Sequence, residues 1–529
     1  MNDKIIINYI RQNNRIHKGI VFLFVLTSVM SCNLFKTKEK FEKRPNVILF
    51  LVDDLGWQDT SVPFWIDTTR NNKVYQTPNM ERLASKGMKF TQAYAHSVCS
   101  PSRVSLMTGM NPARHRVTNW TLEENTKRDV ELRHPTLVFP DWNVNGISPQ
   151  KGIANSIYAK ALPKILSDNG YRTIHCGKAH FGAIGTLAEN PTNIGFDVNI
   201  AGHAAGAPAS YFGEDSFGTE KNKIWGVPGL EKYHHTETHL SEALTLEAIS
   251  AMNQSLDDKQ PFFLYMSHYA VHTPLQGDSR FVDKYIQTGM DDIEANYASM
   301  IEGVDKSLGD LLLFLEEKQI VNNTIILLMS DNGGLCNTPP RGGIPFKHNA
   351  PLSSGKSSAR EGGIRVPMIV SWPGQIKMNT TNDAQLIIED FFPTILSIGQ
   401  CESFEIPQVV DGESFLRYLK DPLADNQQRE LIWHYPNDNG NPEGHGFGAY
   451  SAIRKGDWKL IYYHKDSSFE LFNLKNDIGE SNNLINSEPQ LATELAGRLS
   501  DYLIKVEAQM PRRKKDQKLV AWPKETLAI

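Results

Sequence analysis

Three short stretches of this chain carry residue types able to do chemistry on an anion. The first, Cys99-Ser100-Pro101-Ser102-Arg103, sets a thiol four residues ahead of a guanidinium. The Val-Ser-Leu-Met that follows has a helical look, and Pro101 is tolerated in a first helical turn. A polar loop entering a helix there holds Cys99 at the positive end of the helix dipole, where an anion is stabilised. Arg103 adds a permanent planar cation that can bind an oxyanion through two hydrogen bonds. By spacing alone, Cys99 reads equally well as a small, partly buried apolar residue. The other two stretches are Asp53-Asp54 and Asp331-Asn332, each at the end of an apolar run. Three carboxylates and an amide suit a hard divalent cation, Ca²⁺ in preference to Mg²⁺ where six or more ligands gather. Either pair alone also fits a plain strand end entering a turn.

The elements that must position these residues are visible as patterns. Asn46-Val-Ile-Leu-Phe-Leu-Val52, Pro261-Phe-Phe-Leu-Tyr-Met-Ser267 and Thr324-Ile-Ile-Leu-Leu-Met329 are near-continuous apolar runs. Such runs belong to parallel strands buried on both faces, and open α/β sheets place their sites at the C-terminal ends of such strands. Residues 171–176 predict a further strand delivering Gly177-Lys178-Ala179-His180, where alternation puts Lys178 and His180 on one side. Residues 153–169 read as an amphipathic helix, and 291–318 as a long helix leading into the Asp331 strand. The fold class is α/β: a large mixed, mostly parallel sheet flanked by helices. Beyond Gly399, short strands at 431–435, 449–453, 458–463 and 469–472 predict a smaller α+β subdomain with an antiparallel sheet, followed by a helix over 488–505. Residues 111–150 are polar and aperiodic, a loop excursion in which Trp120 and Trp142 read as packing anchors.

Cys99-Ser100-Pro101-Ser102-Arg103 with Leu106-Met107-Thr108-Gly109 resembles the signature of the type I, formylglycine-dependent sulfatases of the alkaline-phosphatase-like superfamily. The resemblance runs from about residue 45 to about 505. It implies that Cys99 is oxidised to formylglycine (3-oxoalanine) by a maturation enzyme. The hydrated aldehyde would then be the nucleophile, and Asp53, Asp54, Asp331, Asn332 and modified Cys99 would hold Ca²⁺. Gly177-Lys178-Ala179-His180 is similar to the family's Gly-Lys-x-His pattern, with Ala179 where an aromatic is usual. Ser354-Gly-Lys356 resembles the stretch whose lysine grips the sulfate, and His272, two places before Pro274, matches a catalytic histidine. The implied mechanism has Arg103, Lys178 and Lys356 neutralising sulfate oxygens and His272 protonating the departing oxygen. His180 would assist the step that releases sulfate. His203 in the glycine-rich 195–218 loop, His268 and His434 are weaker substrate-contact candidates.

The net charge of −5 gives no global attraction for polyanions, so an anionic substrate needs a local basic pocket and nucleic acid is not an expected partner. Lys4, Arg11, Arg15 and Lys18 precede an apolar run over 19–30 that is short for a membrane span. Val29-Met30-Ser31-Cys32 resembles a bacterial lipobox, which implies lipidation of Cys32 and a protein anchored by lipid alone at the outer membrane, facing the periplasm. The cell surface and, because Met30 is not the usual small residue, ordinary signal cleavage are the alternatives. The expected organisation is a signal segment over 1–32, a charged tether over 33–44, a catalytic domain over 45–400 and a C-terminal subdomain over 401–529. Cys176, Cys336 and Cys401 read as small buried residues. The leading reading is an exported sulfatase acting on a sulfated polysaccharide or its oligosaccharides. The alternatives are a phosphatase or phosphonate monoester hydrolase of the same superfamily, and a non-catalytic glycan-binding lipoprotein.

Overall fold

The computed structural model describes residues 44–527 apart from 128–133, 403 and 442–443. The signal segment, the tether and Cys32 lie outside the described residues. Asn46–Val52 forms β1, and all seven residues are buried. An apolar run of this kind needs neighbours on both edges and layers on both faces; each fully buried Val, Leu, Ile or Phe contributes about 1.5–3 kcal/mol. The neighbours are Phe262–Ser267 (β5) on one side and Thr324–Ser330 (β6) on the other, both parallel to β1.

The main sheet is completed by Met88–Tyr94 (β2), Arg172–Gly177 (β3), Val198–Ile200 (β4), Arg365–Ser371 (β7), Thr380–Asn382 (β8) and Leu386–Ile387 (β9). Its order is β8-β2-β7-β6-β1-β5-β3-β4, with β9 also paired to β2. Only β7 runs antiparallel to its neighbours, β2 and β6, so the sheet is mostly parallel as expected. Leu240–Asp257 and Asp292–Glu317 are long helices in the core packed on the sheet. The second starts at an Asp291 cap that accepts from the Glu294 amide.

The expected helix over 153–169 is shorter than the pattern implied and covers Leu162–Asp168. Pro163 sits in its first turn, and a proline ring there leaves no room for a preceding helical turn. Ile157–Tyr158 instead pairs in parallel with Ile147–Ser148.

The smaller sheet is antiparallel, in the order Glu430–Tyr435 (β10), Tyr450–Lys455 (β11), Trp458–Tyr463 (β12) and Phe469–Asn473 (β13), backed by the helix Pro489–Lys505. It braces the loop that leads to Cys99. The Trp433 indole N–H donates to the Ala95 carbonyl at 2.9 Å and the Tyr450 hydroxyl to Ser97 Oγ at 2.7 Å. Cys99, Cys176, Cys336 and Cys401 are all free and buried.

Candidate active site

The register of β1 against β6 sets Val52 opposite Ser330, so Asp53 and Asp331 leave the sheet side by side. The Asp54 amide donates to Asp331 Oδ1 at 3.2 Å, and Asn332 Nδ2 donates to Asp54 Oδ1 at 2.7 Å. Asp54 holds a left-handed φ of 58°, a conformation that costs a non-glycine residue on the order of 1 kcal/mol. The helix Cys99–Thr108 enters from the other side with no side-chain cap and with every residue buried, so its positive end is turned inward at Cys99.

Three cations answer the three carboxylates. Arg103 Nε is 2.9 Å from Asp331 Oδ2, and its Nη1 donates to Ser267 Oγ at 2.6 Å and to the Lys178 carbonyl at 3.0 Å. Lys178 Nζ lies 2.5 Å from Asp53 Oδ2, and Lys356 Nζ lies 2.7 and 2.9 Å from the two oxygens of Asp54. The hand-off from β3 to Lys178 requires Gly177: its φ is +100°, and a Cβ there would sit 1.9 Å from the Ser267 carbonyl oxygen. Burial, reinforced by Asp331, holds the Asp53 carboxyl well above the usual range despite Lys178. Burial pushes Asp54 the same way, but Lys356, His272 and Lys178 outweigh it and keep that carboxyl low.

Asp53 Oδ1 and Asn332 Oδ1 are buried with no hydrogen-bond partner. Ligating atoms of Asp53, Cys99 and Asp331 lie within 4.8 Å of one another, as do those of Asp54, Cys99 and His272. Two orphaned oxygens beside crowded carboxylates are what a hard cation neutralises. The donor set therefore fits a divalent ion.

Above this floor is a cavity of about 580 Å³ lined by Cys99, His180, His272 and Lys356, with Trp120 and Trp225 in its walls. His272 Nδ1 donates to the Thr273 carbonyl at 2.9 Å and its Nε2 lies 3.8 Å from Asp54 Oδ2. Burial and Lys356 push this imidazole down to about 3. His180 Nε2 donates to the Thr121 carbonyl at 2.8 Å, leaving a buried Nδ1 without a partner. Burial and Lys178 hold His180 well below its ordinary value, so its neutral Nδ1 is a proton acceptor.

Lys178 and His180 share this site, but not through strand alternation. The strand ends at Gly177, and His180 has a φ of 56°, so a turn brings them together. Three weaker candidates stand elsewhere. Ser267 faces Arg103, and the next residue, His268, points to the opposite side of the sheet. There its Nε2 meets Ser307 Oγ at 3.0 Å and its ring packs on Phe50. His434 belongs to the smaller sheet, where it pairs with Ser451 Oγ at 2.9 Å and donates to the Gln509 carbonyl at 3.0 Å. His203 supports the site from beneath, its carbonyl accepting from the His180 amide at 3.3 Å. Its neighbours Gly206 to Ala209 line the cavity in its place. Trp142 is a buried anchor as expected, whereas Trp120 faces the cavity. Trp225 and Asn439 also line it; both lie in aperiodic loops whose residue types gave no local signal.

The sulfatase family profile matches residues 45–400. The chain belongs to the sulfatase family. A second profile, for the C-terminal region of N-sulphoglucosamine sulphohydrolase, matches residues 356–509 of this sulfatase and so takes in the smaller sheet. A sulfatase of Formosa agariphila is 28% identical over 565 residues, covering 96% of this chain and 97% of its own. The N-acetylgalactosamine-6-sulfatase of Mus musculus is 28% identical over 456 residues, covering 83% of this chain and 76% of its own. The crystal structure of Ps i-CgsB in complex with k-i-k-neocarrahexaose is 27% identical, with a TM-score of 0.67 over 87% of this chain and 93% of that one. This sulfatase is a sulfuric ester hydrolase with the alkaline-phosphatase-like fold.

Proposed function

We propose that this sulfatase removes sulfate from a sulfated polysaccharide or its oligosaccharides, using formylglycine made from Cys99 and a divalent cation, Ca²⁺ in preference to Mg²⁺. The observation that carries this reading is the oxygen-lined floor of Asp53, Asp54, Asp331 and Asn332 meeting Cys99 under a cavity flanked by Lys356. Those four residues and residue 99 would hold the cation, which supplies Lewis acidity toward a sulfate oxygen and a nearby hydroxyl. Formylglycine supplies a hydrated aldehyde as nucleophile, which a thiol cannot imitate.

The chain's own residues do the rest. Lys356 meets the ester from the cavity wall, while Arg103 and Lys178, one layer deeper, hold the carboxylates in place and keep the potential positive where charge gathers. A bound sulfate ester brings negative charge against Lys356. That offsets the Lys356 share of what keeps His272 neutral, burial being the larger, and His272 Nε2 is the group placed to hand a proton to the departing oxygen. His180 Nδ1 accepts the proton lost when sulfate leaves. Two similar proteins support a glycan: one is named N-acetylgalactosamine-6-sulfatase and one was crystallised with k-i-k-neocarrahexaose. The lipobox-like Val29-Met30-Ser31-Cys32 supports a lipid-anchored periplasmic protein.

The test is sulfate and phosphate release from a panel of sulfated glycans and a small aryl sulfate, with added Ca²⁺ and protein whose residue 99 is shown by mass spectrometry to be an aldehyde. Sulfate release that falls at least about 10³-fold in both Cys99→Ala and Cys99→Ser is the expected result. Phosphate release in its place, or turnover retained by either variant, would overturn the reading.

A further inference from the structure

The glycine-rich stretch from Ala201 to Tyr211 is tied to the His272 segment at both ends. The Tyr269 hydroxyl donates to the Ala201 carbonyl at 2.9 Å. At the other end the Tyr211 hydroxyl lies 2.7 Å from the Tyr269 carbonyl and 2.9 Å from the His272 carbonyl, so its one proton is shared between them. We infer that Tyr211 is a positioning residue for His272, setting that imidazole against the ester from outside the cavity. The inference rests on the proton-donor role proposed for His272 and adds what holds the histidine in place.

Tyr269 to His272 is a single turn, in which the His272 amide donates to the Tyr269 carbonyl at 3.0 Å. The Tyr211 hydroxyl bridges the first and last carbonyls of that turn. The next carbonyl along, that of Thr273, accepts from His272 Nδ1 at 2.9 Å. Hydroxyl, backbone and ring therefore form one connected series. The hydroxyl fixes the His272 carbonyl, the following peptide fixes Nδ1, and Nε2 is left on the side of Asp54. An imidazole held through its Nδ1 follows the backbone that holds it.

Tyr211 is itself held from several sides. It is fully buried, and its ring stacks on His239 with centroids 5.5 Å apart and planes 13° from parallel. Its amide donates to Gln276 Oε1 at 2.7 Å, and its carbonyl accepts at 2.8 Å from Leu240, the first residue of the helix Leu240–Asp257. Midway along the stretch, Gly206 lies against the His180 ring: a Cβ there would sit 2.3 Å from His180 Cε1. Gly206 to Ala209 also line the Cys99 cavity. A phenylalanine would fill the same space beside His239. What the tyrosine adds is a donor, and that donor is directed at the backbone of the His272 turn.

The experiment measures kcat and KM for sulfate release by the aldehyde-bearing full-length protein on the glycan of the panel that it desulfates fastest. It compares wild type, Tyr211→Phe, His272→Ala and the double variant. Tyr211→Phe is expected to lower kcat at least about tenfold with KM within about threefold, because a misplaced proton donor is felt in the transition state rather than in binding. General acid catalysis supplies about 10²–10⁴-fold, so His272→Ala retains release that long incubation can follow. In that background the loss from Tyr211→Phe should shrink to less than about twofold, since the hydroxyl has no imidazole left to place. Gln276→Leu, at a half-buried position, frees the Tyr211 amide and should lower kcat at least about threefold with the same dependence on His272. Wild-type kcat in Tyr211→Phe or, where that variant does not fold, in Gln276→Leu would overturn the inference. So would an equal loss with and without His272, which would make the hydroxyl a structural bond only. Either result leaves the sulfatase reading intact. Wild-type release by His272→Ala would instead overturn the role proposed for that histidine, and this inference with it.

Discussion

Under the Cys99 cavity, Asp53, Asp54 and Asp331 face Arg103, Lys178 and Lys356. Beneath the four-stranded sheet, Glu361 and Glu480 face Lys459, with Arg365 and Arg454 close by. Both groups are buried, and they are assembled differently. Lys459 Nζ lies 2.9 Å from Glu361 Oε1 and 2.5 Å from Glu480 Oε1. The Tyr94 hydroxyl donates to Glu361 Oε2 at 2.7 Å, and the Glu361 amide to Glu480 Oε2 at 2.7 Å. Of the carboxylate oxygens in that cluster, Glu480 Oε1 has no hydrogen bond but lies against the Lys459 ammonium. Burial pushes the Glu361 carboxyl up, but Lys459, Arg365 and Arg454 outweigh it and hold the group down to about 2. Burial also holds the Glu480 carboxyl above its ordinary value, as it does Asp53. Among the described residues, the floor under Cys99 differs in Asn332 Oδ1, which has no partner, and in Asp53 Oδ1, which has no hydrogen bond and only the Arg103 guanidinium at 3.9 Å. The Lys459 cluster meets its carboxylates from within the chain; the floor under Cys99 leaves two oxygens open to the cation proposed above.

Isosteric neutralisation separates the two. Asp53→Asn should reduce sulfate release by at least about 10³-fold while leaving the chelator-treated protein as stable as wild type or more so, because the lost charge was disfavoured by burial. Glu361→Gln should do the reverse to stability, costing about 3 kcal/mol, since its charge is favoured in the fold and Lys459 would be left under-compensated. Denaturant midpoints measured in chelator decide the pair. A stability loss in Asp53→Asn as large as in Glu361→Gln would erase the distinction.

Ca²⁺ should act on one cluster alone. At a free concentration of about 100 times Kd it should stabilise wild type by about 2.7 kcal/mol, seen as a rise in Tm that chelation reverses. That rise should persist in Glu361→Gln and vanish in Asp53→Asn. A rise retained in Asp53→Asn would move the cation elsewhere.

Near neutral pH the smallest effect comes from histidines outside both clusters, and it grows only as pH falls. Burial holds His268 down to about 3 and His434 down to about 4, from an ordinary 6.5. Between those values and 6.5 the unfolded chain binds protons that the folded chain does not, so stability is full above about 6.5 and falls as pH drops toward 4. Each such group contributes up to about 1.4 kcal/mol per pH unit. His268→Gln should flatten the slope between pH 6.5 and 4.5 when unfolding is followed in chelator; an unchanged slope would assign the acid sensitivity to the carboxylate clusters.

Much of this was written locally. The β1 and β6 strands are apolar at every position from Val47 to Val52 and from Ile325 to Met329, and a segment that cannot present a polar face must be buried on both sides. Asp53-Asp54 and Asp331-Asn332 punctuate those runs, and Asp291 caps the long helix where the pattern put its start. Pro163 was a local signal too, outweighed in the 153–169 pattern by its periodicity. His268, His434 and His203 could not be sorted from His272 by residue type, because which side of a sheet a histidine leaves depends on strand ends and packing.

Residue identity and short-range pattern were enough for the strands, their acidic ends and the cysteine at a helix start, since burial and capping act over a few residues. The pairing of Val52 with Ser330, the turn that joins Lys178 to His180, and the loop that carries Asn439 from the smaller sheet to the cleft required the folded chain. Each depends on contacts between segments far apart in sequence, whose geometry no local preference encodes.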